Sequence, residues 1–179
     1  MCLIDLATGL RFSKVLGLSW EDINFNQKTL RVNRSFDHSY SRKFKDTNSD
    51  SSKRTIVIDE PTINLLKEYK QANRSRHPNY IFLDTNLDNV TNNAVNKVLR
   101  RACARANIQE ISFHFLRHTH CSILLFQGIS IHYISKRLGY SRVSITLDHY
   151  SHILDEMGQV KSKKASEIIG EMNEYTMQN

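Results

Sequence analysis

The sequence predicts a mainly α-helical fold with a small antiparallel β-sheet, an α+β class. Two observations lead to this prediction: apolar residues recur at helical spacing along most of the 179 residues, and the β-branched stretches that suit strands are few and short. We find no internal repeat and no low-complexity segment. A chain of this length buries one hydrophobic core without disulfides or metals, so we expect a single domain over residues 1–179.

The first apolar segment predicts a helix that stops at Thr8-Gly9. A second apolar face at helical spacing follows it, carried by Val15, Leu16, Leu18 and Trp20. Arg11 lies in the turn between the two segments, where the N-terminal amides of the second helix also point. Because the chain begins inside an apolar segment with no cap before it, we expect it to be the later part of a longer protein whose upstream domain is missing.

Two stretches favour β-strands. Residues 29–33 alternate between polar and apolar side chains, and residues 54–58 are rich in β-branched residues. Residues 36–53 between them are polar and basic, which predicts either a mobile connection or an extended hairpin. Residues 80–83 are apolar and predict a further short buried strand or extended segment.

The remainder of the chain is predicted to be helical. Asp59-Glu60-Pro61 is a typical helix start, and Thr91 is a candidate N-cap for a later, basic helix. A largely apolar helix is predicted over residues 115–126 with Gly128 after it, and shorter helices are predicted before Gly139 and over residues 143–150. Residues 155–179 carry an apolar stripe that suits either docking on a neighbouring protomer or folding back on the chain's own core.

Charge and cysteine content limit the kinds of protein this can be. Lys and Arg number 25 against 18 Asp and Glu, a net charge of +7, which suits a polyanionic partner, with nucleic acid as the leading candidate. The three cysteines, Cys2, Cys103 and Cys121, are odd in number and widely spaced, so we expect reduced thiols in a cytosolic protein. No apolar run is long enough to span a membrane, and the N-terminal segment lacks a basic leader.

Four side chains in two regions of the sequence suit phosphate chemistry. Arg11 and Arg117 both stand next to predicted helix starts, and a guanidinium fork holds two phosphate oxygens at once. His114, about one helical turn before Arg117, is placed to move a proton or to hold an oxygen. Tyr150 is the tyrosine best placed to act as a nucleophile, which requires nearby cations that favour the phenolate.

Five motifs in the same order and spacing carry a resemblance to a known family. They are Thr8-Gly9-Leu10-Arg11, the run Leu16-Gly17-Leu18-Ser19-Trp20-Glu21-Asp22-Ile23, His114-x-Leu116-Arg117-His118-Thr119, Leu138-Gly139 and Tyr150-Ser151-His152. Together they resemble the catalytic domain of the tyrosine recombinases, the phage integrase family, over nearly the whole chain. Linked motifs of this kind are far more specific than any one of them.

The resemblance implies the family's fold and a site-specific DNA recombinase that integrates or excises a mobile element without a metal or a cofactor. Arg11 and Arg117 would clamp the scissile phosphate, and Tyr150 would attack it to form a 3′-phosphotyrosyl link and release a 5′-hydroxyl. His114 and the residue after Leu138-Gly139, Tyr140, complete the implied site. The implied partners are double-stranded DNA and further copies of the chain in a tetramer, in a bacterial or phage-encoded system with an upstream DNA-binding domain.

Three positions depart from the family's pattern. Tyr140 stands where the family has a His or sometimes a Trp, and Lys14 stands where it favours an acid three residues after Arg11. The family's catalytic Lys aligns with Asn48, for which Lys45 is a substitute if the hairpin is shifted. These departures leave a second hypothesis open, in which the chain is a weakened or inactive DNA-binding or assembly protein descended from a recombinase.

The three histidines at positions 114, 118 and 120 also raise the question of a metal site. The segment lacks the Glu of a His-Glu-x-x-His zinc signature, and the family that the chain resembles uses no metal. We therefore predict no metal, and we assign His118 and His120 structural roles.

Overall fold

The computed structural model describes residues 1–37, 44–46, 52–73, 79–83, 90–151, 162 and 166–169. Asn48 and most of the 155–179 tail lie outside these residues. The helices are α1 (Cys2–Thr8), α2 (Phe12–Leu16), α3 (Glu60–Ala72), α4 (Asn92–Ala106), α5 (Phe113–Phe126) and α6 (Ile131–Leu138), and residues 143–151 form a further helix, α7. The strands are β1 (Ile23–Asn24), β2 (Thr29–Val32), β3 (Arg34–Phe36), β4 (Phe44–Asp46) and β5 (Arg54–Val57).

The strands form two small antiparallel sheets. One has the order β1-β2-β5, and its central Leu30 lies opposite both Ile23 and Ile56. The other is the β3–β4 pair, in which Phe36 lies opposite Phe44 with ring centroids 5.0 Å apart. The predicted fold class is confirmed, and of the two possibilities for residues 36–53 the structure shows strands of an extended hairpin.

The helix starts follow the predicted capping residues. Asp59 caps α3 by accepting a hydrogen bond from the Thr62 amide at 2.9 Å, and Thr91 caps α4 by accepting from the Ala94 amide at 3.2 Å. Not every apolar residue of α4 faces the core, since Val98 is 60% exposed. Burial in this helix centres on Val95 and Cys103.

Two hydrophobic clusters meet at α5. The larger joins the three-stranded sheet to α1, α3 and the start of α5, which contributes Phe113 and Leu116. The smaller contains Cys121 and Leu125 of α5, together with Ile134 and Leu138 of α6 and Tyr150 of α7. Residue 117 lies on α5 between the parts that enter each cluster, so its side chain stands at their junction.

The turn after α1 is built on a left-handed glycine. Gly9 has φ +65° and ends α1, with its amide donating to the Asp5 carbonyl at 2.6 Å. Two residues later Arg11 is the N-cap of α2. The predicted helix stop is confirmed, and it places Arg11 at the start of the next helix.

Among the described residues, no helix combines the length and the apolar character needed to cross a membrane.

We predict that Gly9→Ala destabilises the fold more than Gly128→Ala does. Both glycines have positive φ, +65° and +78°, so an L-residue at either position costs about 1 kcal/mol of backbone strain. A Cβ at Gly9 would also meet Leu138 Cδ2 at 2.6 Å and His120 Cδ2 at 2.8 Å, whereas Gly128 has open space. Urea unfolding should therefore show an additional loss of about 1–3 kcal/mol for Gly9→Ala. Equal losses would contradict the close packing around Gly9.

Candidate active site

Arg117 is held by helix-end carbonyl groups. It extends from α5, is 1% exposed, and donates from Nη1 to the Gly9 carbonyl and from Nη2 to the Leu138 carbonyl at 3.0 Å. These acceptors follow α1 and end α6, so the guanidinium group joins three helices. Its Nε is buried and has no hydrogen-bond partner.

Arg11 and Arg117 both lie over the ring of Tyr140. The two guanidinium carbons are 5.1 and 4.8 Å from the ring centroid, within the range of a cation–π contact. Arg11 also donates a hydrogen bond to the Tyr140 hydroxyl. Burial, followed by the charge of Arg117, lowers the pKa of Arg11. The phenol therefore holds two like-charged groups beside each other, which is the arrangement needed to bind a phosphate.

His114 lies beside this pair and is neutral at pH 7. Burial, and then the charges of Arg117 and Arg11, lower its pKa below the ordinary value of 6.5. Its ring makes an edge contact with His118 at a centroid distance of 4.9 Å. A neutral imidazole at this point is able either to accept a proton or to donate a hydrogen bond to a phosphate oxygen.

Tyr150 lies close enough to Arg117 to feel its charge, but its hydroxyl group is hydrogen-bonded to His118. The residue is 2% exposed in the smaller cluster, and its Oη lies 2.8 Å from His118 Nδ1. It also hydrogen-bonds the Cys121 side chain. Burial raises the pKa of Tyr150, and only the charge of Arg117 acts in the opposite direction. In this position the hydroxyl is a neutral, hydrogen-bonded core group.

His120 joins α1 to α6. Its Nδ1 donates to the Leu6 carbonyl at 2.8 Å, because its Nε2 accepts from Arg137 Nε at 3.1 Å. Burial lowers the pKa of His120 to about 4, so it is neutral at pH 7. These contacts match the structural role assigned to it. His118 differs, since it contacts Tyr150 directly.

Arg54 is a further cation near Arg11 and Arg117, and the sequence analysis did not single it out. It extends from β5, and its Nε donates to the Arg137 carbonyl at 2.6 Å. Its guanidinium packs against the Cα of Gly139 so closely that a Cβ there would collide with Nη1. Burial, followed by the charges of Arg117 and Arg11, lowers its pKa to about 10. The available signal was a lone Arg at the start of a strand, which by itself is more typical of a solvated charge.

Lys14 also belongs to this group. Burial, and then the charges of Arg54 and Arg11, lower its pKa. Among the described residues, no carboxylate forms an ion pair with Arg11, Lys14, Arg54 or Arg117. We call these four side chains together the cationic cluster. Four cations without an ion-paired acid attract an anion.

Lys45 lies on β4, and its Nζ is 2.7 Å from Asp37 Oδ2 in an exposed ion pair. No contact in the described part of the chain links Lys45 to the cationic cluster. The structure thus brings together Arg11, Arg117, Tyr140 and His114 and places Tyr150 beside them.

Within the described ranges, no group of three or more His, Cys, Asp and Glu side chains is arranged to hold a metal ion. The three cysteines are free, and Cys103 and Cys121 are buried.

Curated proteins resemble this chain in sequence over most of its length. The chain is 29% identical over 174 residues to a tyrosine recombinase XerC-like protein of Caldanaerobacter subterraneus subsp. tengcongensis, covering 85% of this chain and 44% of that protein. It is 28% identical to the integrase of Staphylococcus phage L54a, covering 93% of this chain and 51% of that protein. The chain therefore spans about half the length of the curated relatives it matches.

The fold also matches solved structures. An integrase of the transposon Tn1549, in complex with transposon right end DNA, superposes with a TM-score of 0.78 at 21% identity, covering 91% of this chain and 57% of that one. A XerA recombinase gives a TM-score of 0.69 at 21% identity, covering 89% of this chain and 55% of that one. The family model described as the phage integrase family matches residues 1–157. Since this match covers most of the chain and every residue around Arg117, the chain belongs to the phage integrase family.

Proposed function

We propose that this chain is the catalytic part of a site-specific DNA recombinase that cuts and rejoins strands to integrate or excise a mobile element. One observation carries the proposal: Arg11 and Arg117 lie over a single phenol ring beside His114, with the Tyr150 side chain adjacent. This arrangement combines an anion site with a tyrosine nucleophile. The relatives include bacterial and phage proteins, so we place the reaction on DNA in the bacterial cytoplasm.

In the proposed reaction the Tyr150 oxygen attacks the scissile phosphorus while its proton passes to the neutral imidazole of His114. The bond to the 5′-oxygen breaks, and that oxygen takes up a proton. The products are a 3′-phosphotyrosyl link and a 5′-hydroxyl, so the bond energy is retained and rejoining needs no ATP. Arg11 and Arg117 stabilise the charge on the non-bridging oxygens, which is the term expected to contribute most to the rate. No metal or cofactor is part of the proposal.

Three further side chains receive proposed roles. Tyr140 positions both arginines, and its hydroxyl group accepts a hydrogen bond from Arg11 and donates one to a phosphate oxygen. His114 holds a second phosphate oxygen or moves a proton. Lys45 supplies the proton for the 5′-oxygen after it leaves Asp37, to which it is bound at 2.7 Å.

Attack requires Tyr150 to leave its closed position. The hydroxyl is buried and bonded to His118 and Cys121, and its raised pKa disfavours the phenolate. We propose that α7, residues 143–151, shifts when DNA binds and carries the Oη towards the arginines. The phenolate is favoured there, because cations replace an apolar setting.

The proposed partners are double-stranded DNA and further copies of the chain. The net charge of +7 favours contact with a DNA backbone, and the Tn1549 integrase was solved with DNA. We propose a tetramer on DNA in which the 155–179 tail docks on a neighbour. The described part of this tail exposes Ile168 and Ile169.

The second candidate is a DNA-binding or assembly protein without strand cleavage. The closed position of Tyr150 favours it, as does Lys14 at a position where the family favours an acid. Both candidates bind DNA, so only covalent chemistry separates them.

We predict that the wild-type chain forms a denaturant-stable adduct with a nicked suicide DNA duplex. Tyr150→Phe should form none, because the nucleophilic oxygen is removed while the ring packing remains. Arg117→Ala should slow adduct formation by roughly 10²- to 10³-fold, the usual effect of losing one preorganised donor. Gel electrophoresis in denaturant measures the adduct, and Lys67→Ala, which removes an exposed cation of α3, is the control.

Two results would contradict this assignment. Wild-type binding without an adduct would support the second candidate over the enzyme. An adduct that survives Tyr150→Phe would identify a different nucleophile.

We predict that Cys121→Ala speeds adduct formation by about fivefold. The substitution removes one partner of the Tyr150 side chain in its closed position, and a hydrogen bond is worth about 1 kcal/mol net. Single-turnover kinetics at saturating DNA measures the rate. Cys103→Ala is the matched control, since Cys103 is a buried free thiol on another helix. Equal rates in all three proteins would show that release of Tyr150 does not limit the reaction.

A further inference from the structure

Asp5 is a buried acid that the sequence motifs leave without a role. It lies on α1 with 0% exposure, and neither of its side-chain oxygens has a hydrogen-bond partner. Burying a polar group without a partner opposes folding, so such a group calls for an explanation. Burial raises the pKa of Asp5 and the charge of Arg117 opposes that rise, so the two groups interact.

Arg117 has a buried N–H donor that lacks an acceptor. Its Nε–H is buried and without a partner, although both Nη atoms are bonded to carbonyl groups. α1 and α5, which carry Asp5 and Arg117, pack directly against each other. The α1–α5 pair therefore carries an unpartnered acceptor, the Asp5 carboxyl group, and an unpartnered donor, the Arg117 Nε–H.

Water is able to reach this interface from the site. Asp5 lines a cavity of about 350 Å³ together with Arg11, Asn96 and His114. A cavity of this size holds several water molecules, so water is available on the Asp5 side of the interface.

We propose that Asp5 is a positioning residue for Arg117: its carboxyl group accepts from the Nε–H through one bridging water and keeps the guanidinium group oriented for the scissile phosphate. This inference rests on the proposed function. A neutral acceptor orients the guanidinium without cancelling its charge. An ionised Asp5 would instead compete with the phosphate for that charge.

The surroundings of Asp5 keep its carboxyl group neutral over most of the physiological range. Burial raises its pKa to about 8, against the opposing charge of Arg117. Across the cavity stand Arg11 of α2 and His114 of α5. The remaining titratable groups around α1 lie elsewhere: Cys2 on the same helix, Glu68 and Tyr69 of α3 against its first turn, and His120 and Arg137 at its final carbonyl groups.

The position of Lys14 explains why a neutral carboxyl group matters in this chain. The acid that the family favours three residues after Arg11 is absent, and Lys14 adds a cation to the cluster instead. In the proposal, ionisation of Asp5 is what changes the net charge around the cationic cluster.

The test compares Asp5→Asn with Asp5→Leu in the full chain, by single-turnover adduct formation on the nicked suicide duplex from pH 6.5 to 9.5. The wild-type rate should fall about tenfold between pH 7 and pH 9, as a group of pKa about 8 ionises. Asp5→Asn should keep the pH 7 rate and lose the fall, because the amide oxygen still accepts from Nε–H and does not ionise. Asp5→Leu should be about tenfold slower throughout, the loss of one charge-assisted hydrogen bond.

Two outcomes would overturn the proposal. An Asn variant as slow as the Leu variant would show that the acceptor is not what matters. An Asn variant that keeps the wild-type fall would show that Asp5 is not the group that titrates.

Failure of the proposed function is recognised separately. If the wild type forms no adduct at any pH, the Kd for an intact duplex replaces the rate. Wild-type affinity should then weaken from pH 7 to pH 9, and the affinity of Asp5→Asn should not. Equal pH dependence of the two affinities would overturn the Asp5 proposal on its own.

Thermal unfolding provides a second readout that does not depend on DNA. The folded pKa of Asp5, about 8, is above its unfolded value of 3.8, so its contribution to stability is full below pH 3.8 and is lost as pH rises to about 8. Asp5→Asn does not carry this loss. Its Tm relative to wild type should therefore increase from pH 4 to pH 8, and a constant difference would contradict a buried neutral acid.

Discussion

The guanidinium group of Arg117, bonded to two backbone carbonyl groups at helix ends, is the interaction on which the rest of the site depends. Helix C-terminal carbonyls lack intrahelical partners and carry partial negative charge, so they are natural acceptors for cations. α1 presents Leu6 to His120, Ala7 to Arg137 and the following Gly9 to Arg117; α6 presents Arg137 to Arg54 and Leu138 to Arg117. Backbone dipoles thus gather like charges at one point, where no carboxylate of the described residues forms an ion pair with them.

Two of the left-handed glycines, Gly9 and Gly139, have a second effect on this arrangement. Gly9 and Gly139 each follow a helix and have no Cβ, and in both cases a side chain of the site fills the space. At Gly9 the neighbours are Leu138 and His120, and at Gly139 the neighbour is Arg54. A larger residue at either position would move a helix end, and with it the carbonyl groups that hold the cations.

Local patterns predicted part of this site, and long-range contacts supplied the rest. Helix stops at glycine, caps at Asp59 and Thr91, and the positions of Arg11, His114 and Arg117 beside helix starts follow from short segments. The Arg54 contact with the Arg137 carbonyl spans 83 residues, and that of His118 with Tyr150 spans 32, so no local pattern indicates them. The role proposed for Lys45 stays a prediction, and so does the tetramer. Asp5 escaped notice because a lone acid in an apolar helix has no periodic signal.

In the proposed reaction, the closed position of Tyr150 would protect DNA against unwanted strand breaks. While it lies in a hydrophobic cluster, the proposed nucleophile would meet neither water nor a phosphate of DNA bound at the wrong site. Withdrawing it leaves a gap among Cys121, Leu125, Ile134 and Leu138, and the free energy lost there has to be offset by contacts formed on the correct site. Selectivity for the correct DNA site in the proposed reaction would then arise partly from the free energy needed to move Tyr150 out of its cluster, which only the complete assembly would supply.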